Sequence, residues 1–154
     1  MSGPGRLRGD AGQVGGIEAI PFGLLVFVVG TLLIANAWAV VDAKFATDAA
    51  ARQVVRTFVE ADDPAGAWSE AEAAGLATIE SHGRDPRRAR IRSLQSPELV
   101  RCARVSVEVT YEVPALALPF IGGYGRAPFQ VRSRHSEVVD PFRSGLSGSV
   151  DGCL

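Results

Sequence analysis

Residues 19–41 read AIPFGLLVFVVGTLLIANAWAVV, 23 positions without a charge between Glu18 and Asp42. As a helix the stretch is about 34 Å long at roughly 1.5 Å per residue, enough to cross a hydrocarbon core of about 30 Å with some tilt. Pro21 falls in the first turn, where a missing N–H costs little. Trp38 lies near the far end, where an indole suits the headgroup boundary. A helix apolar on every side needs a large protein around it to be a soluble core helix, and a chain of 154 residues has no such mass to offer. The segment therefore reads as a transmembrane helix over 17–42. A secretory signal peptide competes with this reading: Arg6 and Arg8 would form its basic region, residues 22–34 its apolar region, and Ala35-Asn36-Ala37 or Ala37-Trp38-Ala39 its cleavage site. The apolar run continues past both sites to Val41, which favours an uncleaved anchor. Arg6 and Arg8 flank one end and Lys44, Arg52 and Arg56 the other, so charge counting leaves the orientation open.

Outward from this segment, residues 1–16 are rich in Gly and polar residues and read as a disordered tail. On the other side a helical period persists to Glu60. Phe45, Ala49, Val55, Phe58 and Val59 can share one face, with Asp48, Arg52, Arg56 and Glu60 elsewhere, so the anchor is predicted to continue as an amphipathic stem. Ala61-Asp62-Asp63-Pro64 then breaks the pattern, with Asp63 as N-cap and Pro64 at the first position of a second helix. Trp68, Ala71, Leu76 and Ile79 form its predicted buried stripe, and Gly83 stands just past its end.

From Arg87 the period changes to two. Residues 88–92 alternate weakly. Ala103, Val105, Val107, Val109, Tyr111 and Val113 then alternate with Arg104, Ser106, Glu108, Thr110 and Glu112, the clearest strand in the chain, with one apolar and one wet face. Pro114 to Pro119 brackets an apolar bridge, Gly122-Gly123-Tyr124-Gly125 reads as a turn, and residues 129–139 return as a third strand. Residues 144–154 are Gly/Ser-rich and read as a flexible tail. The predicted fold is α+β, with a domain over 43–143 in which a three-stranded antiparallel sheet packs on the helices.

Composition excludes several classes of function. A formal net charge of −1 lacks the basic excess of a general nucleic-acid binder. The histidines, His82 and His135, have no metal-ligand spacing, and neither a nucleophile elbow nor a phosphate-binding Gly loop is present. No catalytic residue, metal, cofactor, nucleic acid or small-molecule substrate is expected, and the chain does not read as an enzyme. Two patterns remain. Gly16, Gly23, Gly30 and Ala37 recur every seven residues and give one strip where a partner helix could approach closely, against the competing reading of chance in an Ala/Gly-rich sequence. Arg84, Arg87, Arg88, Arg90 and Arg92 crowd one short window. They could bind phosphate or lipid headgroups, but without interleaved aromatic residues they read more simply as a solvated loop and strand face.

Three stretches together resemble the TadE-like proteins of tight-adherence (Flp) pilus systems, in their short actinobacterial form. They are the polar lead Gly12-Gln13-Val14-Gly15-Gly16-Ile17-Glu18 before the apolar helix, the Ala-rich stem with Ala49-Ala50-Ala51-Arg52, and a C-terminal pattern of a Val-alternating strand, a Pro-rich bridge and a last strand ending Glu137-Val138-Val139-Asp140-Pro141-Phe142-Arg143. The chain departs from the cleaved, pilin-like members at one point: Gln13 stands five positions before Glu18 where they have Gly, and Ala19 replaces an aromatic residue. The resemblance implies a single-pass protein of the cytoplasmic membrane, its N-terminus inside and its C-terminal domain outside. It implies a minor, pilin-like structural role whose partners are other pilus or secretion proteins met through helix packing. The alternative is a secreted or membrane-tethered binding module with a cleaved signal peptide, using the arginine window or the Tyr124 turn.

In pilin-like proteins a Glu at the position of Glu18 pairs with a neighbouring subunit's N-terminal amine, which makes Glu18 the candidate assembly contact; an interfacial carboxylate favoured by the helix dipole is the competing reading. An outward-facing domain would meet conditions in which disulfides persist. Cys102 reads as opening the clearest strand on its polar face, so Cys102 and Cys153 are a candidate pair, with two unrelated thiols as the alternative.

Overall fold

The computed structural model describes residues 19–114, 129–149 and Cys153. The tail over 1–16, Gly16 and Glu18, most of the bridge over 114–119 and the Gly-rich turn at 122–125 lie outside the described residues.

One helix, α1 (Ala19–Glu60), runs unbroken for 42 residues, about 63 Å at 1.5 Å per residue. Its two halves live in different surroundings. The first is long and apolar enough to cross a membrane, with a mean hydropathy of 2.4 in its most apolar window, and none of that window is buried. A helix belonging to a soluble core would be covered. Its two polar side chains turn back on the helix, Thr31 Oγ1 donating to the Phe27 carbonyl and Asn36 Nδ2 to that of Leu32, each at 2.8 Å. Each thereby directs a polar side chain back onto the helix's own backbone.

From Ala43 onward α1 is the spine of an α+β head. Ala43, Ala46, Thr47, Ala50, Ala51, Val54, Val55 and Phe58 are buried in it. A second helix, α2 (Ala67–Ser81), returns antiparallel beside this half: the Trp68 ring meets Phe58 at 6.2 Å, Gly75 faces Ala50 and Val54, and Arg84 reaches Asp42. The sheet is a meander of β1 (Ala89–Ser93), β2 (Arg104–Val113) and β3 (Phe129–Val138), with β2 central and both pairings antiparallel. Val105, Val107, Val109, Tyr111 and Val113 are buried against the helices, as the alternation in the sequence predicts.

Four local expectations need correction. Phe45 does not join the buried face of the stem; it is 66% exposed, because the core side of α1 is lined with Ala, Thr and Val that let the sheet and α2 come close. α2 starts at Ala67 rather than Pro64. Asp63 caps the preceding turn, its Oδ1 accepting from the Ala65 N–H at 3.0 Å, and the Gly66 carbonyl receives the first helical bond from Glu70 at 3.1 Å. The buried stripe of α2 is Ala67, Ala71, Gly75 and Ile79, with Trp68 and Leu76 only half-buried beside it. Cys102 lies in the turn ahead of β2 with φ +65°, not on the strand's polar face. The end of α2 follows its sequence signal: Gly83 at φ +70° sends its N–H to the Glu80 carbonyl while the Arg84 N–H bonds that of Ile79, a Schellman closure.

Candidate functional site

The residues with potential for contact gather in three places: along the bare half of α1, at the collar where α1 enters the head, and over the outer face of the sheet.

On bare α1, a Cβ built at Gly23 or Gly30 would meet nothing within 4 Å, so the described part of the seven-residue strip is unused within one chain. Ala37 is likewise exposed. Trp38, 73% exposed, and Phe45 stand at the end of this surface and carry it to the edge of the head.

At the collar, Arg84 is the organising residue. Its Nη2 pairs with Asp42 Oδ2 and donates to the Ala39 carbonyl at 3.2 Å, its Nε reaches the same carboxylate oxygen at 3.1 Å, and its Cζ lies 5.9 Å from the centre of the Tyr111 ring. The side chain is only 17% exposed. It therefore fastens the α2–β1 connection to the last turn of the charge-free segment, and fixes the height of the head along α1. The next residues form a single 3-10 turn (Pro86–Arg88) capped by Asp85, whose Oδ1 accepts from the Arg87 N–H at 3.0 Å. That backbone bond, then the side chains of Arg87 and Arg88, hold the Asp85 carboxyl below the usual aspartate range.

On the outer sheet face the register sets Arg92, Glu108 and Arg134 in one row across the three strands. Glu108 Oε1 accepts from Arg92 Nε at 3.1 Å and Oε2 from Arg134 Nε at 2.6 Å. The sequence marks this face as wet, yet Glu108 is 2% exposed. Two flat guanidinium groups cover it, rather than a thick layer of protein, and the Arg134 hydrogen bond chiefly keeps its carboxyl ionised below the usual glutamate range. Arginines therefore play separate parts within the sequence window: Arg84 is a clamp, Arg87 and Arg88 pair with Asp85, Arg92 covers Glu108, and Arg90 is exposed. They do not form one site. The Glu108 row escapes sequence reasoning because it depends on the register of strands separated by long connections; a Glu midway along the clearest strand, with Glu112 on the same face, is its only trace.

Away from the collar, Cys102 and Cys153 are joined by a disulfide, with Cα atoms 5.0 Å apart. The segment leading to it is held along its described length. Leu146 packs on the core, the Arg101 N–H bonds the Ser147 carbonyl at 2.9 Å, and Gly148, at φ +105°, lies against the Arg101 backbone where a Cβ would come within 3.2 Å. Arg143 closes the far end of α1 by donating to the carbonyls of Val59, Glu60 and Ala61. Those are orphan acceptors of a helix terminus.

Among the described residues no group of three or more His, Cys, Asp or Glu is placed to hold a metal ion. A shallow depression lies beside Leu94, Ser106, Arg134, His135 and Ser136, with no nucleophile–base pair in it. No family model matches the chain, and no curated protein or solved structure matches it.

Proposed function

We propose that this protein is a membrane-anchored, pilin-like structural component of a tight-adherence (Flp-type) pilus or a related secretion assembly. In this reading its N-terminus faces the cytoplasm and its α+β head lies outside the cytoplasmic membrane. The observation that carries the proposal is α1 itself: one helix whose bare apolar half is left for lipid and neighbouring helices, and whose second half is the spine of the head. Such a rigid connection suits a protein whose head must be held at a set height above a bilayer. The disulfide supports the outward orientation, since a cytoplasmic head would be kept reduced. The role is mechanical rather than catalytic, with Gly23, Gly30 and Ala37 offering the helix contact and Glu18 the assembly contact.

The secreted-module alternative has less support. α1 runs helically through both proposed cleavage sites, and Arg84 bonds the Ala39 carbonyl, so cutting after Ala37 or Ala39 would remove or disturb part of the head's own collar. Alkaline carbonate washing tests the anchor, and protease treatment of spheroplasts tests the orientation. The expected result is full-length protein that resists extraction and loses its head to external protease. Deletion of the gene tests the assembly role: loss of surface pili is expected, and unchanged pili would overturn it.

A further inference from the structure

The two broad faces of the head carry opposite charge. α2 bears Glu70, Glu72 and Glu80 and neither Lys nor Arg from Ala67 to Ser81. Its buried stripe faces α1 and Ile91 of β1, which turns Glu70 and Glu80 outward. The outer face of the sheet carries Arg90, Arg92, Arg104, Arg132 and Arg134 against two acids, Glu108 and Glu112. Glu108 already satisfies Arg92 and Arg134. Among the described residues, Arg90, Arg104 and Arg132 make no ion pair on one face, and Glu70, Glu72 and Glu80 make none on the other.

These unpaired charges also match in height. Arg90 and Arg132 flank Thr110, next to the Tyr111 that lies under Arg84, while Glu80 is four residues before Arg84 in the same corner. Arg104 pairs in register with Val138 at the opposite end, near the end of α1, where Trp68 and Phe58 also bring the start of α2 and so Glu70. Glu70 and Glu80 are about 15 Å apart along a helix. The rows of Arg104 and of Arg90–Arg132 are about 20 Å apart along a strand. Copies anchored in one membrane share an orientation, so the basic face of one meets the acidic face of another at equal height.

We propose that copies of this chain associate side by side, the basic sheet face of one against the acidic α2 face of the next. The contact is heterologous, because each copy uses both faces, and so it builds a ring or a helical array rather than closing as a dimer. Confinement to a bilayer raises the effective concentration of heads and makes a modest, salt-sensitive attraction sufficient. The inference rests on the anchor reading above and adds to it a partner and a geometry.

The test uses the full chain, fused to donor or acceptor fluorescent proteins before Met1, in phosphatidylcholine liposomes. Energy transfer is expected to fall at least about threefold between about 50 and about 500 mM NaCl. Arg90→Glu/Arg132→Glu and Glu70→Arg/Glu80→Arg should each abolish it, whereas Arg90→Lys/Arg132→Lys should keep it. The decisive arm mixes the two reversed variants, one acidic on both faces and one basic on both, which should transfer energy again. No transfer in floated wild-type protein, transfer that survives either reversal, or a mixture that stays dark overturns the proposal. Thermal melts within about 3 °C of wild type establish that the surface variants fold; a variant that fails is replaced by Arg104→Glu or Glu72→Arg. Protein that does not float with the liposomes fails the anchor reading, an outcome distinct from dark but floated protein, and takes the proposal with it.

Discussion

The Arg84 guanidinium pairs with the Asp42 carboxylate 42 residues earlier in the chain, at the point where the charge-free segment ends and the head begins. The pair joins the turn after α2 to α1 and covers one side of Tyr111. Arg84→Ala should lower the stability of the head by about 1–3 kcal/mol, since charged hydrogen bonds and a partly buried stem are lost together. Arg84→Lys should recover less than half, because an ammonium cannot reproduce the planar fork that spans carboxylate and carbonyl. Thermal denaturation of the full chain in detergent measures both, and an Arg84→Ala melt equal to wild type would remove Arg84 from its role as clamp.

Gly75 sits where α2 packs on α1 with no room for a side chain. A Cβ there would run into Val54 and approach Ile91 Cδ1 to 2.8 Å. Gly75→Ala should therefore destabilise by about 1–3 kcal/mol despite the better helix propensity of Ala. Val54→Ala should relieve part of that cost, so the double variant should be more stable than the sum of the two single losses. Strict additivity in denaturant melts would show that the helices simply move apart.

Reduction of the Cys102–Cys153 bond opens a loop with a sequence separation of 51. The chain-entropy model assigns such a loop about 4 kcal/mol, much of the stability expected of a small domain. Cys102→Ser/Cys153→Ser and reductant should lower the melting temperature alike. Mass spectrometry after alkylation without reduction should find neither thiol modified in protein taken from membranes; two alkylated cysteines would count against the outward head as well as the bridge.

Glu108 supplies the pH dependence. Its carboxyl titrates below the ordinary glutamate value in the folded head, so protons bind the unfolded chain more readily. The resulting stability is fully present above the unfolded pKa of about 4.3 and is lost as pH falls through the lowered folded value. Glu108→Gln should melt earlier than wild type at pH 7, and the difference should shrink steadily below about pH 4. A constant difference across that range would mean that shape, not charge, is what Arg92 and Arg134 require.

How much of this was legible in advance depends on the range of the interaction involved. The apolar segment, the two helices, the strand from Arg104 to Val113 and the stop at Gly83 follow from the sequence alone. Each is set by periodicity, by run length or by a residue's own backbone preference, all of which act within a few neighbours. The covered face of the central strand was legible too, as were Val55, Phe58, Ala71 and Ile79 on the helices. Tertiary structure decided the rest of the helix faces, and there the reasoning from large side chains failed at Phe45, Trp68 and Leu76. Phe45 faces out because the buried side of α1 is lined mainly with Ala, Thr and Val, and on α2 it is Ala67, Ala71, Gly75 and Ile79, rather than Trp68 or Leu76, that are fully covered. The pairing of Glu108 with Arg92 and Arg134 and the reach of Arg84 to Asp42 belong to the same class. Both join residues far apart in the chain, through register and packing that no local pattern encodes, and their short-range electrostatics exist only once the fold has brought the charges together.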